Sequence, residues 1–148
     1  MSPISIIVGT MLGASEYVAD RLEELLQDTH QVSIHLSPQL ADLNTQSNQT
    51  WLICTSTHGA GDFPDNIVDF VEALSEQSPD LAHVSYAVCA LGDSNYDTFC
   101  QAGQTIDRQL KALGATRLIS PLLIDVSLGD LPEDLAETWL DTWKDRLS

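Results

Sequence analysis

Three short stretches of the sequence hold the residues with chemistry to offer. The first is SIIVGTMLGASEYVA, residues 5–19, where an apolar run enters a glycine- and hydroxyl-bearing loop and a helical pattern leaves it. Gly9 and Gly13 let the backbone turn tightly and approach a ligand closely. Thr10 and Ser15 offer hydroxyl donors, and the unpaired N–H groups of a helix starting near Ser15 favour an anion. The loop has no lysine or arginine, and its spacing is neither G-x-G-x-x-G nor G-x-x-x-x-G-K-[ST]. It suits a monoester phosphate held by neutral donors, not a transferring triphosphate, whose charge must be neutralised. Ser15 also has a plainer reading as a helix cap, with Glu16 in the first turn.

The second stretch is STHGAGDFPDN, residues 56–66. Gly59 and Gly61 flank Ala60, so the backbone there has access to conformations closed to other residues. His58 stands at the apex, and Pro64 is placed to start a helix. A flexible strand-to-helix turn with a solvated histidine is the simpler account of the same residues. The third stretch is ALGDSNYDTFC, residues 90–100. Gly92 and Asp93 make a turn, and Tyr96 is offered from the loop rather than from a core face. An aromatic ring so placed can serve as a platform for a planar ligand, or simply pack on the surface.

These loops must be carried by strands. Short apolar runs alternate with helical patterns: residues 5–9, 31–36, 51–56, 85–92 and 117–125 read as five strands. The helices between and after them present Val18, Leu22, Leu25 and Leu26; Ile67, Phe70, Val71 and Leu74; Ile106, Leu110 and Leu113; and Leu135, Trp139, Leu140, Trp143 and Leu147. Strands separated by helices imply a parallel sheet covered on both faces, an α/β doubly wound fold of one domain over residues 1–148. QVSIHL alternates like a half-buried edge strand. The polar segment SPQLADLNTQSNQT is expected to be a loop with at most a short helical turn. Pro121 lies inside the last strand run, which places that strand at an edge or interrupts it. In such a sheet a ligand sits beyond the carboxyl ends of the strands, at the switch in strand order. The loops after strands one, three and four should therefore converge.

The bulk numbers agree with a folded domain. The chain has 148 residues, 43% of them hydrophobic, and no apolar run near the ~20 residues that span a bilayer. With no basic region or cleavage pattern at the start, a cytoplasmic location is the expectation. Cys54, Cys89 and Cys100 are odd in number and lack C-x-x-C spacing, which argues against a disulfide framework or a zinc site. Cys54 and Cys89 read as small buried hydrophobes. The net charge of −16 argues against nucleic acid or an anionic membrane as partner. Between Arg21 and Arg108 there is no Lys or Arg, while 13 of the 22 acids fall there. That is either a solvated acidic face or a surface that steers a basic partner.

Taken together, the three loops resemble those of the flavodoxin family, in the family's order and over the whole chain. The first resembles its phosphate loop, the second the STYGEGDxPDN loop of diflavin reductases, and the third GLGDSxYExFCxAG. VGTMLGASEYVA, STHGAGDFPDN, YDTFC and PEDLAETWLDTW are most similar to the MioC group of small stand-alone flavodoxins, and the run from Arg117 to Asp125, with no inserted loop, matches the short-chain class. The resemblance implies a flavodoxin-like five-stranded parallel sheet in the order 2-1-3-4-5. It implies FMN as cofactor, its 5′-phosphate held by the hydroxyls of Thr10 and Ser15 and the backbone N–H groups of Met11, Leu12, Gly13 and Ala14. Met11 and Leu12 replace residues that are often hydroxylated, and Ala14 a frequent Asn or Thr. Each missing donor is worth about 0.5–1.5 kcal/mol, so a modest FMN affinity is expected.

The resemblance further implies that Tyr96 stacks on one face of the flavin ring and His58, where the family usually has an aromatic residue, covers the other. Gly59 matches the glycine whose peptide turns over to meet the reduced ring. Ala60, Gly61, Leu91, Gly92 and Phe99 belong to the same two enclosing loops, and backbone groups around Thr57, Asp93 and Cys100 would meet the pyrimidine edge. The activity implied is low-potential one-electron transfer, not catalysis, with Asp62, Asp65, Asp93 and Asp97 adding negative charge near the ring. A ferredoxin/flavodoxin NADP⁺ reductase would be the donor, and reductively activated enzymes such as radical-SAM proteins, biotin synthase among them, the acceptors. Other readings share the architecture. A flavin-free interaction or regulatory module is one and an NAD(P)H-dependent quinone reductase another. A phosphoacceptor receiver domain is opposed by the absence of clustered acids after the first strand and of a lysine after the fifth.

Overall fold

The computed structural model describes residues 2–11, 13–58 and 60–147. Three central strands carry the sheet: β1 (Ile4–Gly9), β3 (Gln49–Ser56) and β4 (Val84–Gly92). β2 (Val32–His35) flanks β1, and β5 (Thr116–Arg117) and β6 (Leu122–Asp125) both pair with β4. All pairings between these strands are parallel, in the order β2-β1-β3-β4-β5. The expected fifth strand is thus present but in two pieces. β5 pairs with Ser85 and Tyr86, and β6 with Cys89 to Gly92. Between them only Leu118 N reaches back to the ladder, to Tyr86 O, and the break ends at Pro121, which has no N–H to give.

Alternation along the strands sends successive residues to opposite faces. Ile7, Trp51, Ile53, Tyr86 and Val88 face one core; Ile6, Val8, Leu52, Cys54, Ala87 and Cys89 face the other. Helices α2 (Val68–Gln77) and α3 (Gln101–Ala112) close the first with Phe70, Val71, Leu74, Ile106 and Leu110. Helices α1 (Ala14–Leu26) and α4 (Pro132–Trp143) close the second with Val18, Leu22, Leu26, Trp139, Leu140 and Trp143. β3 and β4 are therefore buried on both sides, which is why they read as unbroken apolar runs. Arg21 ties α1 to α4 through Asp134 and Glu137, at 3.1 and 2.8 Å.

Two helical expectations change. Leu25 does not join the core stripe of α1 and is 40% exposed. Val18, Leu22 and Leu26, each four residues apart, carry that face, and Leu25 falls at the rim of the α1–α4 contact. Pro64 does not open α2. It precedes a short 3-10 turn, Asp65–Ile67, and α2 begins only at Val68. The polar segment after β2 contains one 3-10 turn, Leu40–Asp42, as expected. Cys54, Cys89 and Cys100 are buried free thiols. Burial pushes Cys54 and Cys100 up to about 12 and Cys89 well above its ordinary value, so all three stay protonated and inert at neutral pH.

Candidate functional site

The loops after β1, β3 and β4 do converge at the carboxyl end of the sheet. A cavity of about 230 Å³ is lined by Thr10, Met11, Ala14, Ser15, Ser56, Thr57, His58, Leu91, Gly92, Asp93 and Val126. A second hollow, of about 200 Å³, is lined by Thr57, Gly92, Asp93, Tyr96, Thr98 and Phe99. The two share Thr57, Gly92 and Asp93, so they form one cleft running from the start of α1 to the loop after β4. It lies where β1 has β2 on one side and β3 on the other, the switch point of the sheet.

At the α1 end the loop after β1 and the start of the helix form a candidate anion cradle. Gly9 lies so close to β3 that a Cβ on it would clash with Thr55 Oγ1. Gly13, at φ 94°, is the residue from which α1 starts, a backbone conformation that favours glycine. Its N–H is not free for a ligand, because it donates to Thr10 Oγ1 at 2.9 Å. Thr10 Oγ1 thus accepts within the loop and keeps its own O–H to offer. The helical ladder reaches back from Tyr17 N to Gly13 O at 3.1 Å, leaving the N–H groups of the first turn without helical acceptors. Ser15 is inside α1 and makes no cap. Its hydroxyl is fully buried, lines the cavity and has no hydrogen-bond partner among the described residues. A buried hydroxyl is normally paired, so an unpaired one facing a hollow at a helix N-terminus fits an anionic ligand group. Ser56 Oγ, also lining the cavity, is unpaired in the same way. Leu12 and Gly59 lie outside the described residues.

The middle loop is held shut by backbone. His58 and Asp62 exchange two N–H···O bonds of 2.8 Å, an isolated antiparallel bridge across the loop. His58 is exposed at the mouth of the cleft. Ala60 and Gly61 do not line either hollow; Gly61 instead turns, at φ 98°, against the side chain of Gln101. Thr57 combines two tasks. It lines both hollows, and its Oγ1 accepts from Ala102 N at 3.0 Å, which caps the first turn of α3.

The third loop folds on itself. Asp93 Oδ1 accepts from Asn95 N at 2.9 Å, and Tyr96 N donates to Asp93 O at 3.1 Å. Tyr96 is 64% exposed, its ring offered to the cleft rather than to the core. Cys100 does not line the cleft. It is the cap of α3, at φ 55°, behind Gly92, and its Sγ donates to Ala90 O at 3.4 Å. Asp62, Asp65 and Asp97 are exposed and Asp93 half-buried, so the rim carries negative charge.

Four contributors are absent from the residues the sequence singles out. Ser56, Thr98 and Val126 line the cleft. Asp125, at the end of β6, accepts from Ser94 N and Oγ and from Ser127 N and Oγ, tying the third loop to the last strand. The hydrogen bonds from Ser127 and Ser94 hold its carboxyl down to about 2, against an ordinary 3.8. The stabilisation it supplies is complete above pH 3.8 and is lost as pH falls from there through about 2. The difference in urea midpoint between wild type and Asp125→Asn should be constant at neutral pH and shrink across that window. A difference that persisted unchanged at pH 2 would exclude the carboxylate as its source.

A doubly wound sheet in this strand order, with a candidate anion cradle at its switch point and an exposed tyrosine beside it, defines a flavodoxin-like fold. The sequence matches the family model for Flavodoxin over residues 6–139. Protein MioC of Escherichia coli K12 is 43% identical over 144 residues, 97% of each chain. Flavodoxin YqcA of the same organism is 36% identical over 149 residues, covering all of both. Among solved structures, a cysteine-to-alanine mutant of a flavodoxin from Pseudomonas aeruginosa superposes with a TM-score of 0.86 at 31% identity, covering 95% of each chain. The chain belongs to the flavodoxin family and, within it, to the short-chain MioC group.

Proposed function

We propose that this protein binds FMN in the cleft and carries single electrons at low potential between a reductase and acceptor enzymes. The observation that carries the reading is the fully buried, unpartnered Ser15 hydroxyl at the N-terminus of α1, open to the cavity. The cradle of Thr10, Met11, Ala14 and Ser15 would take the phosphate, with Gly13 turning the chain into α1. The ring would lie between the loops of His58 and Tyr96, over Gly92 and Asp93. Bound FMN supplies the one-electron chemistry, and the chain tunes it. Asp62, Asp65, Asp93 and Asp97 make added negative charge on the ring unfavourable, which lowers the potential. His58 contributes less cover than a larger aromatic residue and admits a positive charge when protonated.

The net charge of −16 suits fast, salt-sensitive docking with basic redox partners. A ferredoxin/flavodoxin NADP⁺ reductase is the proposed donor. Radical-SAM and other reductively activated enzymes, biotin synthase among them, are the proposed acceptors, all within the cytoplasm. Among the described residues no helix is long and apolar enough to cross a membrane.

The test is the visible spectrum of protein purified without added flavin, repeated after adding FMN and desalting, followed by a redox titration. Retained flavin absorption, and a second-electron couple lower than that of free FMN, are expected. A protein that stays colourless after reconstitution would favour a flavin-free interaction module. A couple no lower than that of free FMN would remove the low-potential role.

A further inference from the structure

Asn66 makes three long-range hydrogen bonds with one side chain. Its Oδ1 accepts from Thr10 N at 2.9 Å, and its Nδ2 donates to Val8 O at 2.8 Å and to Leu36 O at 2.9 Å. Both amide hydrogens and one carbonyl lone pair are therefore used, and the partners lie 56, 58 and 30 residues away. They are the end of β1, the first loop residue after it, and the residue following β2. Thr10 in turn receives the N–H of Gly13, the residue from which α1 starts. A continuous path of hydrogen bonds thus runs from Asn66 through Thr10 to the helix terminus. Asn66 itself lines neither hollow.

We propose that Asn66 is the positioning residue of the anion cradle. It holds Thr10 and, through Thr10, Gly13 in place, and so sets the affinity for the phosphate end of the ligand, without touching the ligand. The side chain must be an amide. A carboxylate has no hydrogens for Val8 O and Leu36 O, and an alkyl group would leave Thr10 N and both carbonyls unpaired. Because Asn66 follows the His58–Asp62 bridge in the same loop, it also fastens the ring-side loop to the phosphate-side loop.

The proposal rests on the FMN reading for its ligand, and the experiment separates the two. Wild type, Asn66→Ala and Asn66→Ser are titrated with FMN and with riboflavin, which has the ring but no phosphate. Their unfolding temperatures are compared with and without inorganic phosphate. FMN affinity is expected to fall about tenfold or more in Asn66→Ala and by less in Asn66→Ser, which keeps an acceptor for Thr10 N. Riboflavin affinity should change less than about twofold in both, which a general loosening of the fold would not produce. Equal losses for the two ligands, or no loss for FMN, would overturn the proposal. Failure of both variants to fold would do the same, by making Asn66 a determinant of the fold rather than of the cradle. Should wild type bind neither flavin, the FMN reading fails by itself. Phosphate protection present in wild type and reduced in the variants would still support Asn66, and protection absent or unchanged would overturn it.

Discussion

Trp51→Ala is expected to lower the free energy of unfolding by about 3–5 kcal/mol, the range for emptying a buried aromatic site. Trp51 is wholly buried in β3, with β1 and β4 on either side. Its ring meets Phe70 of α2 edge-on at 5.7 Å and 66°, and its Nε1 donates to Gln49 Oε1 at 2.7 Å. Truncation removes the apolar area, breaks the aromatic pair and strands a buried carbonyl at once. The neighbours are strand residues fixed by ladders on both sides, so they have little freedom to collapse into the void. Against a typical total of about 5–15 kcal/mol, the loss is a large fraction. Urea unfolding measures it, and Trp51→Phe should fall well short of the alanine value because most of the volume stays. A loss below about 1 kcal/mol for alanine would mean that the sheet relaxes around the site, contrary to its packing.

The second large effect concerns the cradle. Ser15→Asp should weaken FMN binding about 100-fold or more while the fold is kept. The carboxylate would occupy the place of the phosphate, taking up the N–H groups of the first turn of α1 and repelling a second anion. Ser15 is fully buried, so the larger, charged side chain should also cost some stability despite the favourable helix end, and the unfolding temperature of the ligand-free variant is measured alongside. Ser15→Ala is the milder control. It removes one hydrogen bond to a charged group, about 1.5–3 kcal/mol, and so about ten- to a hundredfold in affinity. Fluorescence titration of FMN with each variant reads both effects. Binding by Ser15→Asp as tight as wild type would place the phosphate somewhere other than the start of α1.

Much of this was legible in the chain itself. Strand and helix periods are local properties, so the alternation of apolar runs and amphipathic patterns led directly to a parallel sheet with helices on both faces. That Thr10 and Ser15 stand together at the start of α1 was also legible, because they are close in sequence and line one cavity. Even the interruption at Pro121 could be read, since a missing N–H is a property of one residue. Where local reading failed, a neighbour in space had decided. Leu25 has the right period for a core position, yet the packing of α4 leaves it at the rim. Gly13 looked like a donor to a ligand until the fold turned its N–H onto Thr10 Oγ1.

Local patterns in the chain are enough for the class of fold and for the order in which the three loops follow their strands. Which side chains hold those loops together is settled by contacts between segments far apart in the chain. Asn66 joins residues up to 58 positions away, and Asp125 reaches Ser94 across 31. In the sequence Asn66 is only the last residue of the second loop and Asp125 the last of the fifth strand run. A hydrogen bond between loops leaves no period and no spacing in the chain. Its partners become neighbours only when the parallel strands place their carboxyl ends side by side.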